Sequence, residues 1–165
     1  MLFSRRFVSP LAFLCLASAA FAADDSKIPE PARAVLDRAT QFVVYSLEPS
    51  QSEGGNLPDG FHGWKVLGKT VVKDAEARKQ VVSALARGVE ENDGSKPDCF
   101  EPRHGIRAVQ DGKTLDLVIC FQCLQVKAYV GEKADRGFLT KGSPQPVFDK
   151  VLKDAGVPLA KKQGE

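Results

Sequence analysis

The 165-residue chain is short of several things. It has one tryptophan, one methionine, two tyrosines and two histidines. The two histidines are His62 and His104. The longest apolar run, Phe7–Ala19, falls short of the roughly 18–20 residues needed to cross a bilayer. No phosphate-cradling glycine loop, serine-nucleophile elbow or paired catalytic carboxylate motif is present, and there is no internal repeat or low-complexity segment. An excess of one charge is missing too. The chain has 23 basic and 21 acidic side chains, and two of the basic ones, Arg5 and Arg6, lie in the first 22 residues. The remainder is balanced, whereas a nucleic-acid binder normally shows a basic excess, so no nucleic-acid partner is expected.

What the N-terminus does hold is the pattern of a secretory signal peptide over residues 1–22. Arg5 and Arg6 form a charged start, Phe7–Ala19 a short apolar centre, and Ala20-Phe21-Ala22 a small-x-small cleavage site. Cys15 sits in the apolar centre without the small residues before it that a lipidated cysteine requires. These features predict a soluble, exported product, periplasmic or extracellular, with no membrane span once the signal is cleaved. Residues 23–30, charged and proline-containing, read as a flexible leader, 31–160 as a single domain and 161–165 as a tail. A domain of this length can bury a core without disulfides.

Along the chain, Pro31–Thr40 reads as a short helix, Gln41–Leu47 as a strand and Glu48–Gly60 as a long loop rich in Gly, Pro and Ser. Trp64–Val72 reads as a strand. Asp74–Glu91 is the strongest helix: Asp74 can cap it, and Val81, Val82, Leu85, Ala86 and Val89 make one apolar stripe. Gly105–Gln110 and Thr114–Phe121 read as strands, Leu124–Val130 as a continuation or a further strand, Gly131–Gly137 as a charged turn and Phe138–Thr140 as a short strand. A last helix opens at Ser143-Pro144 and ends near Gly156. Only the central helix is long enough for a parallel crossover, which predicts an α+β fold: a mainly antiparallel sheet with helices on one face.

The densest stretch is Cys99–Cys123, CFEPRHGIRAVQDGKTLDLVICFQC. Asp111-Gly112 suits a tight hairpin turn. A two-residue turn opposes Gln110 to Lys113 and would carry Cys99 opposite Leu124. A three-residue loop opposes Val109 to Lys113 and would carry Cys99 opposite Cys123. Either register brings Cys99 near Cys123 and leaves Cys120 three to four residues away along a regular strand, roughly 10–13 Å. Pro102 cannot donate to the ladder and marks a bulge or an edge.

Three cysteines follow the signal, an odd number, and an exported thiol tends to pair. The leading reading is a structural Cys99–Cys123 disulfide, closing about 25 residues for roughly 3 kcal/mol, with Cys120 a buried free thiol. A second is a zinc-like metal site of Cys99, His104, Cys120 and Cys123, whose ligand count suits tetrahedral coordination. In a regular strand, however, residues three apart face opposite ways. A third is thiol–disulfide exchange through Cys120 and Cys123, against which no helix start follows the pair. A fourth is a cysteine nucleophile with His104 or His62 as base. Arg103 and Arg107 beside the cysteines suggest an anion site, and His62 and Trp64 a ligand groove below the long loop. The competing reading of these is a charged strand edge and a hydrophobic plug with His62 facing solvent.

At CFEPRHGIR and LVICFQC the chain resembles small exported bacterial proteins with a CF-x-PRHGIR…ICF-x-C pattern, for which we know no assigned activity. The resemblance implies a bacterial, periplasmic origin and transfers no functional residue. The sequence thus favours a non-enzymatic exported module, a binding protein with a structural cysteine-bearing hairpin and no cofactor. Its alternative is a metal-binding or thiol-redox protein using the same residues. The mature chain is expected to begin at Ala23. An intact mass measured on protein from the native host checks this, and retention of Met1 would contradict it.

Overall fold

The computed structural model describes residues 27–50, 57 and 59–161. The signal pattern, half of the leader and all of the tail but Lys161 lie outside them. Three helices and six strands follow one another as α1 (Glu30–Arg38), β1 (Gln41–Leu47), β2 (Val66–Val71), α2 (Ala75–Glu90), β3 (His104–Gln110), β4 (Lys113–Cys120), β5 (Gln125–Val130), β6 (Lys133–Leu139) and α3 (Gln145–Asp154). The strands form one antiparallel sheet in the order β2-β1-β3-β4-β5-β6, with the helices packed on one face. This is the α+β architecture expected from the element order. No helix among the described residues is long and apolar enough to cross a membrane.

Local chemistry accounts for the elements. The Asp74 carboxylate accepts the Ala77 N–H at 2.7 Å, satisfying one orphan donor at the start of α2. At the end of α3, Gly156 turns left-handed (φ 69°), Gly156 N–H bonds Lys153 O and Val157 N–H bonds Leu152 O, a Schellman closure. Asp111 (φ 48°) and Gly112 (φ 74°) both occupy the left-handed region, so the β3–β4 connection is the two-residue turn with Gln110 opposite Lys113.

Period-two alternation then divides the side chains. Phe42, Val44, Ile106, Ala108, Leu115, Leu117, Ile119, Val126 and Ala128 point under the helices and meet Leu36, Val81, Leu85, Val89, Phe148 and Leu152. On the other face Val43, Tyr45, Leu47 and Val118 make a smaller cluster, covered by Phe61 and Trp64.

Two sequence expectations change. Residues 133–137 are strand, not turn: β5 and β6 are joined by a two-residue connection between Val130 and Lys133, with Gly131 at φ 60°. Lys133, Ala134, Asp135 and Arg136 are exposed on an edge strand, where charge is the usual protection against edge pairing and hides the alternation that sequence reading looks for. The leader is not wholly free either, because Ile28 is buried in the main core and Glu30 already belongs to α1.

Gly88 has a packing role in α2. A Cβ there would lie 2.5 Å from Pro144 Cγ and 2.7 Å from Thr140 Oγ1. Helix propensity alone makes Gly→Ala stabilising by about 1 kcal/mol. At this position the sign is expected to reverse, with Gly88→Ala losing about 1–3 kcal/mol through overpacking, measured by urea unfolding.

Candidate functional site

The β3–β4 register places Arg107 directly opposite Asp116, and the β4–β5 register places Asp116 opposite Tyr129. All three project from the face without helices. Arg107 grips Asp116 bidentately, Nε to Oδ1 at 2.8 Å and NH2 to Oδ2 at 2.6 Å. His62 Nε2 lies 2.7 Å from Asp116 Oδ2. The imidazole stacks on Tyr129 at 3.8 Å and meets Phe61 edge-on, while Phe61 stacks on Tyr45 and lies under the Arg107 guanidinium. Phe61 needs Gly105 beneath it, since a Cβ there would come within 2.7 Å of its ring.

Burial alone would raise the Asp116 carboxyl pKa. The hydrogen bonds from Arg107 and His62 outweigh it and hold the group below the ordinary carboxylate value. An ionised Asp116 only accepts, so His62 Nε2 carries the hydrogen between them. His62 takes a left-handed backbone (φ 51°) to reach this position. Phe61 and Trp64 bridge to each other and are buried. They form the plug rather than an open groove, and His62 faces the sheet rather than solvent.

The far end of the hairpin carries the cysteines. Ladder pairing stops at His104, so the segment bearing Cys99 is not strand. Gln125 holds it instead, its side-chain amide donating to Pro97 O and Cys99 O, both at 2.9 Å. Cys99 and Cys123 have Cα atoms 5.6 Å apart. Cys120 and Cys123 are also close, at 5.2 Å. Both separations fall within the span of a disulfide, and the Cys123 sulfur meets both other sulfurs. The expected gap between Cys120 and the other two is absent because Phe121–Leu124 is a turn, closed with Leu124 at φ 57°. Leucine in that conformation leaves no sequence signal. Two N–H groups point at sulfur: Cys123 N–H to Cys120 Sγ at 3.1 Å, and Glu101 N–H to Cys123 Sγ at 3.4 Å. Cys120 and Cys123 are each 1% exposed, whereas Cys99 is exposed.

His104 does not join them. It pairs with Ile119 on the helix-covered face, while Cys120, one residue on, points to the other. His104 Nε2 instead meets Asp149 Oδ1 of α3 at 2.8 Å, with Phe121 and Phe148 against its ring. Burial, the largest influence, works against ionising Asp149, and the His104 and Gln145 hydrogen bonds with the nearby Lys153 charge together override it, leaving its pKa lowered. The four-ligand set Cys99, His104, Cys120 and Cys123 is therefore not assembled, and no group of three or more His, Cys, Asp or Glu among the described residues is arranged to hold a metal.

Arg103 stands beside His104, 9% exposed. Its NH1 donates to Gln122 Oε1 at 2.5 Å and to Glu101 O at 3.4 Å, and its Nε to Lys161 O at 3.4 Å. These acceptors are neutral oxygens, and among the described residues no carboxylate hydrogen-bonds it. Arg103, His104, Gln122, Gln145, Asp149 and Lys153 line a cavity of about 90 Å³, together with Leu159 and Ala160. Of the four residues first considered for an anion or ligand surface, Arg107, His62 and Trp64 therefore belong to the helix-free face, and Arg103 alone lines this cavity. Lys153 and Asp149, contributed by α3, carried no sequence signal linking them to the hairpin.

Replacing Asp116 with asparagine should cost about 1–3 kcal/mol at neutral pH, because Arg107 and His62 lose their charged acceptor. The folded pKa of Asp116 is lowered, so its contribution is complete above about pH 4 and disappears as pH falls through that lowered value. Chemical unfolding of both proteins from pH 7 to pH 2 should show the difference narrowing only at the acid end.

No protein-family model, curated protein or solved structure matches the chain, and its chemistry rests on this geometry alone.

Proposed function

We propose that the chain is an exported α+β binding module that takes a small oxyanion, a carboxylate or phosphate group, between Arg103 and Lys153, with the cysteine-bearing hairpin as scaffold. The observation that carries this reading is the buried Arg103 guanidinium at the wall of the cavity, hydrogen-bonded only to neutral oxygens among the described residues. Buried arginines are ordinarily paired with an anion. A planar fork of N–H groups suits carboxylate and phosphate oxygens. The cavity wall carries Arg103 and Lys153 against the single carboxylate of Asp149, which already accepts from His104. A volume of about 90 Å³ suits one such group and little more. Export is supported by the signal pattern of residues 1–22, and an oxidising compartment suits cysteines at disulfide distance.

Inorganic phosphate and acetate are the probes. With a dissociation constant of about 1 mM, a concentration of about 10 mM adds about 1.4 kcal/mol. That corresponds to a rise in Tm of roughly 3–5 °C for a domain of this size. Arg103→Gln should abolish the shift and Lys153→Gln reduce it, while Arg107→Gln on the other face should retain it. A shift unchanged in Arg103→Gln, or none with either anion, would refute the assignment.

A further inference from the structure

Cys123 cannot be bonded to Cys99 and Cys120 together, because a sulfur takes part in one disulfide at a time. Both Cα separations from Cys123, 5.6 Å to Cys99 and 5.2 Å to Cys120, nevertheless suit a bond. Two bonded states therefore share one fold. They differ in which thiol remains: the buried Cys120, or the exposed Cys99.

We propose that Cys99, Cys123 and Cys120 form a thiol–disulfide relay that carries an oxidising equivalent from an external low-molecular-weight disulfide into the protein. Cys99 is the entry, because it is the exposed member. Its thiolate attacks one sulfur of the incoming disulfide, forming a mixed disulfide and releasing one small thiolate. The Cys123 thiolate attacks the Cys99 sulfur of that bond, forming Cys99–Cys123 and releasing the second small thiolate. The Cys120 thiolate then attacks Cys123, forming Cys120–Cys123 and returning Cys99 as a free thiolate. One external disulfide is reduced to two thiols, and two protein thiols are oxidised to one disulfide. The last step is an internal exchange that consumes no further oxidant.

Geometry supports the direction and the order. Exposure falls from Cys99 to Cys123 and Cys120, so an outside reagent reaches the first and not the others. The N–H groups of Glu101 and Cys123 point at the Cys123 and Cys120 sulfurs, the two that attack within the protein. The segment bearing Cys99 lies outside the ladder, so its sulfur can bond or detach without breaking sheet pairing. The proposal stands apart from anion binding at Arg103 and survives its failure.

The test uses the protein as its host makes it, fully reduced and freed of reductant. Oxidised glutathione is added, the reaction is quenched with acid at intervals, and the peptides are mapped without reduction. Glutathione should appear first on Cys99, then the Cys99–Cys123 bond, then Cys120–Cys123. Cys120→Ala should halt the sequence at Cys99–Cys123, and Cys123→Ala should halt it with glutathione on Cys99. In the final oxidised state, maleimide should label Cys99 of the wild type at least about tenfold faster than Cys99 of Cys120→Ala. A single fixed pairing in the wild type from the first interval, glutathione entering at Cys120, or equal maleimide labelling of the two proteins would overturn the relay. The wild-type time course decides the matter even where a variant fails to fold.

Discussion

The two-residue turn at Asp111-Gly112 sets the pairing of β3 with β4, and that pairing determines which residues meet. With Gln110 opposite Lys113, Arg107 falls across from Asp116 and Ile106 across from Leu117. The first pair then lies on the face without helices and the second beneath them. A slip of one residue would send every side chain of one strand to the other side, burying a carboxylate among the aliphatic residues of the core. The turn needs two consecutive left-handed residues, which Asp-Gly tolerates better than most pairs. The ion pair and the core both enforce the same register, so local turn chemistry and long-range packing agree.

Much of this was legible because it is periodic. The strand at Gln41–Leu47, the helix capped by Asp74 and the Asp-Gly turn announce themselves through alternation, spacing and residue type. The sequence left two registers open, since both turns suit Asp-Gly, and the backbone angles of Asp111 and Gly112 resolve them. Sites were less legible because they depend on residues that behave atypically. Leu124 and His62 take left-handed backbones without glycine's freedom, and each redirects a functional side chain: Leu124 closes the turn that brings Cys120 to Cys123, and His62 reaches Asp116. Asp149 and Lys153 arrive from a helix far along the chain, and no pattern within the hairpin points to them.

The end of the hairpin presents different chemistry to its two sides. Sulfur gathers where the chain turns after β4, and the basic cavity opens toward α3. Gln122 belongs to both: it lies within the turn between Cys120 and Cys123, and its side-chain oxygen accepts from Arg103. A rearrangement of that turn would therefore be felt at the guanidinium, and a change in the partners of Arg103 would be felt at the turn. The shared residue gives the two centres a physical means of influencing one another.

Gln125 fastens the Cys99 segment by a single carboxamide that donates to two backbone oxygens. A strand held by a ladder separates only with much of its sheet, whereas a segment held by a few separate contacts, here the Gln125 carboxamide, the Glu101 N–H on the Cys123 sulfur and the Phe100 ring against Trp64 and Lys127, can open with less of it. Residues 93–99, exposed and outside the ladder, can therefore open while the sheet stays closed, and amide hydrogens there would exchange with solvent ahead of those in β3 and β4.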